Sequence, residues 1–128
     1  MDGRPKILVV DDEELAQEFL HFFLSKKYDV YTAGSVNSFY NILSKVNFDL
    51  IIMDISLRDT KDGIQLTKEL KQSEKYKDIP IYILTALNTT KERENAQNAG
   101  ANNFLVKPLE SRYLMKLIES SLTTLTYN

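Results

Sequence analysis

Short apolar runs and amphipathic segments alternate along the whole chain. Three runs, at positions 6–10, 48–53 and 79–84, are almost continuously apolar, and two weaker ones cover positions 28–33 and 103–107. Runs of this length that end in polar residues are typical of strands buried on both faces of a parallel sheet. The pattern therefore predicts five strands.

The segments between these runs carry apolar residues at helical spacing. These residues are Leu15, Phe19, Phe22 and Phe23 in the first segment, Phe39, Ile42, Leu43 and Val46 in the second, Leu66 and Leu70 in the third, and Leu114, Leu117, Ile118 and Leu122 in the last. Ser35 is the better placed of two candidate N-caps for the second helix. Residues 90–99 fit a helix with only two alanine anchors, so we expect it to be the least firmly held, with Gly100 as its C-cap.

Five strands that alternate with five helices through short connections predict an α/β fold. The expected architecture is a doubly wound (βα)5 three-layer sandwich, in which helices cover both faces of a five-stranded parallel sheet. A length of 128 residues with 43% hydrophobic residues suits one globular domain that spans residues 1–128.

Composition excludes several classes of protein and site. Without cysteine, disulfides, thiolate metal sites and a cysteine nucleophile are excluded. No apolar run is long enough for a membrane helix and the first residues do not resemble a signal peptide, so we expect a cytoplasmic protein without a membrane partner. A net charge of −2 argues against direct nucleic-acid binding through a broad basic face.

Polar side chains that can do chemistry follow four of the five predicted strands. Asp11 and Asp12 follow the first strand, Asp54 the third, Thr85 the fourth and Lys107 the fifth. Ligands of open α/β sheets bind beyond the carboxyl ends of the strands, where these side chains would meet. Each of them alone is ordinary, as a solvated helix start, a turn residue or a surface charge. Their coincidence at one sheet edge favours a functional site.

Carboxylates held this close together repel one another, so either their pKa values rise or a cation joins them. A set of oxygen ligands suits Mg²⁺ or Mn²⁺, for which Asp12 and Asp54 are candidates. Lys107 and Thr85 can bind phosphoryl oxygens. A carboxylate can also attack phosphorus and form an aspartyl phosphate.

The ordered set of motifs resembles the receiver domain of two-component response regulators, of the CheY-like superfamily, from about residue 6 to residue 122. The resemblance rests on the motifs Asp11-Asp12-Glu13, Asp54 at the end of an apolar run, Asp62-Gly63, Thr85-Ala86, and Gly100-Ala101 leading to Lys107-Pro108. It implies a flavodoxin-like fold with strand order 2-1-3-4-5 and a cis peptide bond between Lys107 and Pro108.

The resemblance also implies a role for each residue of the site. Asp54 would be the phosphoacceptor for a histidine-kinase phosphohistidine in a phosphorelay. Mg²⁺ would be bound by Asp12, Asp54 and the backbone carbonyl of Ser56, and by Asp11 through water. Thr85 and Lys107 would bind the phosphoryl oxygens.

Signal output is implied in the same way. Thr85 would move toward the phosphoryl group and Phe104, the switch aromatic, would turn inward and rearrange the helix at residues 90–99. The expected partners are a sensor histidine kinase or phosphotransfer protein and an effector domain or output partner that the sequence does not name. The expected state is a monomer or weak dimer. The protein would be a self-phosphorylating acceptor with at most intrinsic autodephosphorylation, and not an enzyme acting on others.

Three alternatives stay open at this stage. A receiver-like interaction domain that signals without phosphate is the first, although the acidic set is intact. A haloacid-dehalogenase-like phosphatase would need a second aspartate two residues after Asp54, where Ser56 stands. A flavodoxin-like FMN binder would need a phosphate-binding loop after the first strand, where an acidic cluster repels phosphate.

Overall fold

The computed structural model describes residues 3–127, with side chains described to residue 123. The five strands are β1 (Lys6–Val10), β2 (Asp29–Ala33), β3 (Leu50–Asp54), β4 (Ile81–Thr85) and β5 (Asn103–Val106). The five helices are α1 (Glu14–Leu24), α2 (Val36–Lys45), α3 (Gly63–Lys71), α4 (Thr90–Ala99) and α5 (Ser111–Tyr127). The predicted alternation is confirmed. Residues 1, 2 and 128 of the predicted domain lie outside the described part of the chain.

All five strands pair in parallel, in the order β2-β1-β3-β4-β5. The order implied by the family resemblance is therefore confirmed. Strands β1, β3 and β4 occupy the centre and are almost completely buried, because their side chains alternate between two apolar clusters. One cluster packs under α2, α3 and α4, and the other under α1 and α5. The three-layer sandwich follows from these two clusters.

Helix α1 buries a different face from the one that its sequence indicates. Leu15, Phe19 and Phe22, which form most of the predicted apolar stripe, are 74%, 56% and 72% exposed. Leu20 and Leu24 are buried against the sheet instead. The prediction of a helix is correct, but its three most prominent apolar residues form a surface patch.

Local capping explains where the helices around the site begin and end. Ser35 accepts a hydrogen bond from the backbone N–H of Ser38, which confirms it as the N-cap of α2. Asp62 caps α3 in the same manner, through the N–H of Gln65. Gly100, with a φ of 99°, ends α4 in the left-handed region, as predicted.

None of the helices in the described residues is long and apolar enough to cross a membrane.

Candidate functional site

Three of the predicted site residues meet where β1, β3 and β5 end. The Nζ atom of Lys107 lies 3.0 Å from Oδ2 of Asp54 and 3.6 Å from Oδ2 of Asp11. Both carboxylates are buried, with 2% of Asp11 and 4% of Asp54 exposed. One ammonium group therefore faces two buried acids, which agrees with the juxtaposition predicted from the strand ends.

Asp54 is held in a fixed orientation from both of its oxygens. Its Oδ1 accepts hydrogen bonds from the backbone N–H and the hydroxyl of Ser56, at 2.8 and 2.7 Å, and its Oδ2 accepts one from Lys107. Burial alone would raise the pKa of Asp54, but the Ser56 hydrogen bonds, with help from Lys107, hold that pKa below its usual value. Asp54 is therefore ionised at neutral pH, as a carboxylate nucleophile must be.

The pKa of Asp11 is shifted in the opposite direction from that of Asp54. The pKa of Asp11 is raised to about 6, chiefly because the carboxyl is buried. The hydrogen bond from the backbone N–H of Glu13 lowers this pKa, whereas the neighbouring Asp54 raises it. The single positive charge of Lys107 only partly compensates the negative charges of the two acids. The excess of negative charge, carried by hard oxygen donors, fits a cation such as Mg²⁺.

The Asp11→Asn variant is expected to be more stable than the wild type at pH 7, by about 1–3 kcal/mol. Between about pH 4 and 6, the native carboxyl with a pKa of about 6 retains a proton that the unfolded chain, with a pKa of 3.8, has lost, and at pH 7 the buried native carboxyl must carry an unfavourable charge. Wild-type stability therefore falls as the pH rises from about 4 to 6, and Asn removes this loss. Urea unfolding at pH 4 and pH 7 measures the difference.

The gain should be small at pH 4, where the native carboxyl is protonated and the carboxyl of the unfolded chain, with a pKa of 3.8, is only about half ionised. Asp78→Asn, at an exposed position, is the matched control and should show no such pH-dependent gain. An Asp11→Asn protein that is less stable than the wild type at pH 7 would contradict this reading of the site.

Asp12 lies at the rim of this site and contacts Arg58, a partner that the sequence did not indicate. Its Oδ2 accepts hydrogen bonds from the backbone N–H and the Nε–H of Arg58, at 3.1 and 3.2 Å. Among the side chains that the structure describes, at residues 3–123, no three acidic, histidine or cysteine groups lie close enough together to hold an ion alone. A Mg²⁺ ion at this edge would need further ligands, which is its usual habit, since it retains waters and binds substrate phosphates.

Thr85 and Phe104 lie on the two strands beyond Asp54. Thr85 is buried, and its hydroxyl oxygen accepts a 3.0 Å hydrogen bond from the N–H of Leu87. Phe104 is half-buried against the same apolar cluster as Ala96 of α4. The guanidinium of Arg93 lies 4.7 Å from the centre of the Phe104 ring, a cation–π contact that the sequence did not indicate.

The peptide bond between Lys107 and Pro108 is cis, as the resemblance implied. The side chain of Ser56, two residues after Asp54, is exposed. Its hydroxyl donates a hydrogen bond to Asp54, a contact that the sequence did not indicate. The role of its carbonyl as a metal ligand stays a prediction.

Comparison with known proteins agrees with this geometry. The family model of the response regulator receiver domain matches residues 7–119. The chain belongs to the response regulator receiver domain family. This receiver domain is similar to the chemotaxis protein CheY4 of Vibrio cholerae, with a TM-score of 0.85 and 27% identity over 93% of this chain and 99% of that one.

Two further relatives extend the comparison. A putative response regulator from Chloroflexus aurantiacus has a TM-score of 0.87 and 30% identity, over 94% of this chain and 99% of that one. Protein PetR of Rhodobacter capsulatus is 34% identical over 119 residues, which are 92% of this chain. The receiver domain spans about half (48%) of the length of PetR. The predicted family, fold and link to two-component signalling are thereby confirmed.

Proposed function

We propose that this receiver domain is a phosphorylation-switched signalling module in which Asp54 accepts a phosphoryl group from a histidine-kinase phosphohistidine. The observation that carries the proposal is the buried Asp54 carboxylate held between Ser56 and Lys107 beside Asp11. In the transfer, a carboxylate oxygen of Asp54 forms a bond to phosphorus while the phosphorus–nitrogen bond of the donor breaks. The departing histidine nitrogen then takes up the electron pair.

Lys107 and Ser56 have distinct tasks in this transfer. Phosphoryl transfer depends chiefly on alignment and charge neutralisation. The two Ser56 hydrogen bonds align the carboxylate, and the ammonium of Lys107 neutralises charge on the phosphoryl oxygens. Asp12, Asp54 and the Ser56 carbonyl would hold Mg²⁺, with Asp11 acting through water. When bound, the ion would supply further neutralisation of phosphoryl charge.

The proposed switch involves Thr85 and Phe104, as the family resemblance implies. A phosphoryl group on Asp54 offers strong acceptors to the Thr85 hydroxyl, which would shift toward it. Phe104 would then turn inward and leave its contact with Arg93. Helix α4 buries only Ala96 and Ala99, so it can respond to this change and present a new surface to an output partner.

An apolar groove that begins beside the site offers a surface for the phosphodonor protein. The groove lies between α1 and the segment after β5, and its lining includes Asp11, Lys107, Leu15 and Phe19. Exposed apolar patches on monomeric proteins commonly mark binding sites. The donor must bring its phosphohistidine to Asp54, so we propose that a helix carrying this histidine packs its apolar face into the groove.

Phe19→Ala is expected to lower the rate of phosphotransfer from a phosphorylated kinase by about tenfold or more, because a central aromatic anchor is lost. Transfer from acetyl phosphate needs no docking surface and should continue. Tyr113→Ala is the control, because Tyr113 is a half-exposed aromatic outside the groove lining. An equal loss in both variants, or none in Phe19→Ala, would contradict the proposed docking surface.

The experiment for the proposed function is incubation with Mg²⁺ and acetyl phosphate, followed by intact-mass measurement. We expect one phosphoryl adduct that does not form when EDTA replaces Mg²⁺. Absence of an adduct, together with absence of beryllofluoride binding, would favour a phosphorylation-independent interaction domain instead. The proposed role is that of an acceptor that phosphorylates itself and at most removes its own phosphoryl group.

A further inference from the structure

The segment between β3 and α3 brings a cation to the rim of the acidic site. Arg58 contacts Asp12 through two donors, its backbone N–H and its Nε–H, and both end on the same oxygen, Oδ2. The Arg58 side chain is 86% exposed, whereas that of Asp12 is only 20% exposed. The guanidinium therefore sits on the solvent side of the carboxylate that the proposed function assigns to Mg²⁺.

The next residue anchors this segment in place. One carboxylate oxygen of Asp59 accepts a 2.9 Å hydrogen bond from the N–H of Val36 at the start of α2, and the other accepts one from the N–H of Thr60. An acid at a helix N-terminus is a favourable arrangement. The anchor limits the positions that Arg58 can take and keeps it near Asp12.

We propose that Arg58 is a counter-cation of Asp12 that a divalent ion must displace, so that its side chain sets the Mg²⁺ concentration at which the site fills. This inference rests on the proposed function, because it takes Asp12 to be a metal ligand. The two Arg58 hydrogen bonds occupy Oδ2. A divalent ion bound to the same carboxylate would also repel a guanidinium at this distance.

Displacement is easy for this particular side chain. Exposed ion pairs are weak, and the guanidinium can move into solvent without losing buried contacts. The backbone N–H of Arg58 can still hold Asp12 after the side chain has left. Substitution of the side chain thus removes the competing charge and leaves that hydrogen bond in place.

The test is the dissociation constant of Mg²⁺, measured by isothermal titration calorimetry on the wild type, Arg58→Gln and Arg58→Lys. We expect Arg58→Gln to bind Mg²⁺ about two- to fivefold more tightly, the range that a weak exposed ion pair implies. Arg58→Lys, which keeps the charge without the Nε–H donor, should lie between the two. The advantage of Arg58→Gln should shrink at high salt, because exposed charges are screened.

Lys61→Gln is the matched control. Lys61 belongs to the same segment and carries the same charge, but it pairs with Glu69 at 2.7 Å and not with Asp12. Its substitution should leave the dissociation constant near the wild-type value. A gain in Lys61→Gln as large as that in Arg58→Gln would assign the effect to net charge and overturn the proposal.

The remaining outcomes separate this inference from the proposed function. Unchanged or weaker Mg²⁺ binding in Arg58→Gln, with Mg²⁺-dependent phosphorylation intact, would overturn the inference and leave the function standing. Failure of both proteins to bind Mg²⁺ would overturn both. Binding by Arg58→Gln but not by the wild type at the same Mg²⁺ concentration would support the displacement of Arg58.

Discussion

Replacement of Asp54 by Asn is expected to abolish the phosphoryl adduct completely. The amide has no ionised oxygen to attack phosphorus, whereas its oxygen can still accept the hydrogen bonds that Ser56 gives to Oδ1. The variant should therefore fold normally and lose only the reaction. Intact mass after incubation with acetyl phosphate and Mg²⁺ measures the adduct, and urea unfolding verifies the fold.

Asp59→Asn is the matched control for this experiment. Asp59 lies in the segment that follows β3 and its carboxylate bonds to backbone N–H groups, so the change is chemically the same but removed from Lys107. This variant should still form the adduct. An adduct that survives in Asp54→Asn at the wild-type level would show that another side chain is the acceptor.

The second large effect is expected for Gly63→Ala, which should lower the free energy of unfolding by about 3 kcal/mol or more. A Cβ atom at Gly63 would lie 2.3 Å from the carbonyl oxygen of Asp54 and 3.0 Å from the Cα of Ile55. Both neighbours are backbone atoms, so α3 and the end of β3 would have to separate. Because Asp54 ends β3, the proposed phosphoacceptor should be displaced as well.

Urea unfolding gives the stability of Gly63→Ala, and the rate of adduct formation reports the displacement of Asp54. Gly3→Ala is the control, because a Cβ atom at Gly3 meets nothing within 4 Å. This control should match the wild type in both measurements. A Gly63→Ala protein as stable as Gly3→Ala would contradict the close approach of α3 to β3.

The strands and their order were predictable from the sequence for separate reasons. The central strands are buried on both faces, so their sequences are nearly continuous in apolar residues and leave a strong signal. The order 2-1-3-4-5 came from the family resemblance, because periodicity alone does not specify which strands pair. Asp11, Asp54 and Lys107 could be predicted to lie together because the carboxyl ends of parallel strands meet at one edge of the sheet.

The exposed face of α1 shows where periodicity misleads. Leu15, Phe19 and Phe22 have the spacing of a buried stripe but are exposed, and Leu15 and Phe19 line a surface groove. Leu20 and Leu24 are buried against the sheet instead. A helix with apolar residues on two faces gives no sequence signal for which face the sheet covers. The presence of apolar residues on more than one face of α1 was the feature of the sequence that could have indicated a binding surface.

The contacts of Arg58 and Arg93 could not have been predicted. Arg58 lies in an irregular segment and reaches an acid 46 residues earlier in the chain, so no local pattern links them. Arg93 belongs to a helix of polar composition and meets Phe104 only because α4 packs beside β5. Such long-range pairs depend on the packed fold, which is why they emerged only from the structure.

The most direct test of the central claim is chemical mapping of the phosphorylated residue. Borohydride reduces an acyl phosphate on aspartate to homoserine, which peptide mass spectrometry then locates in the chain. After treatment with acetyl phosphate and Mg²⁺, we expect homoserine at position 54 alone. Homoserine at position 11 or 12, or none in a protein that carries the phosphoryl mass, would contradict the assignment of Asp54 as the phosphoacceptor.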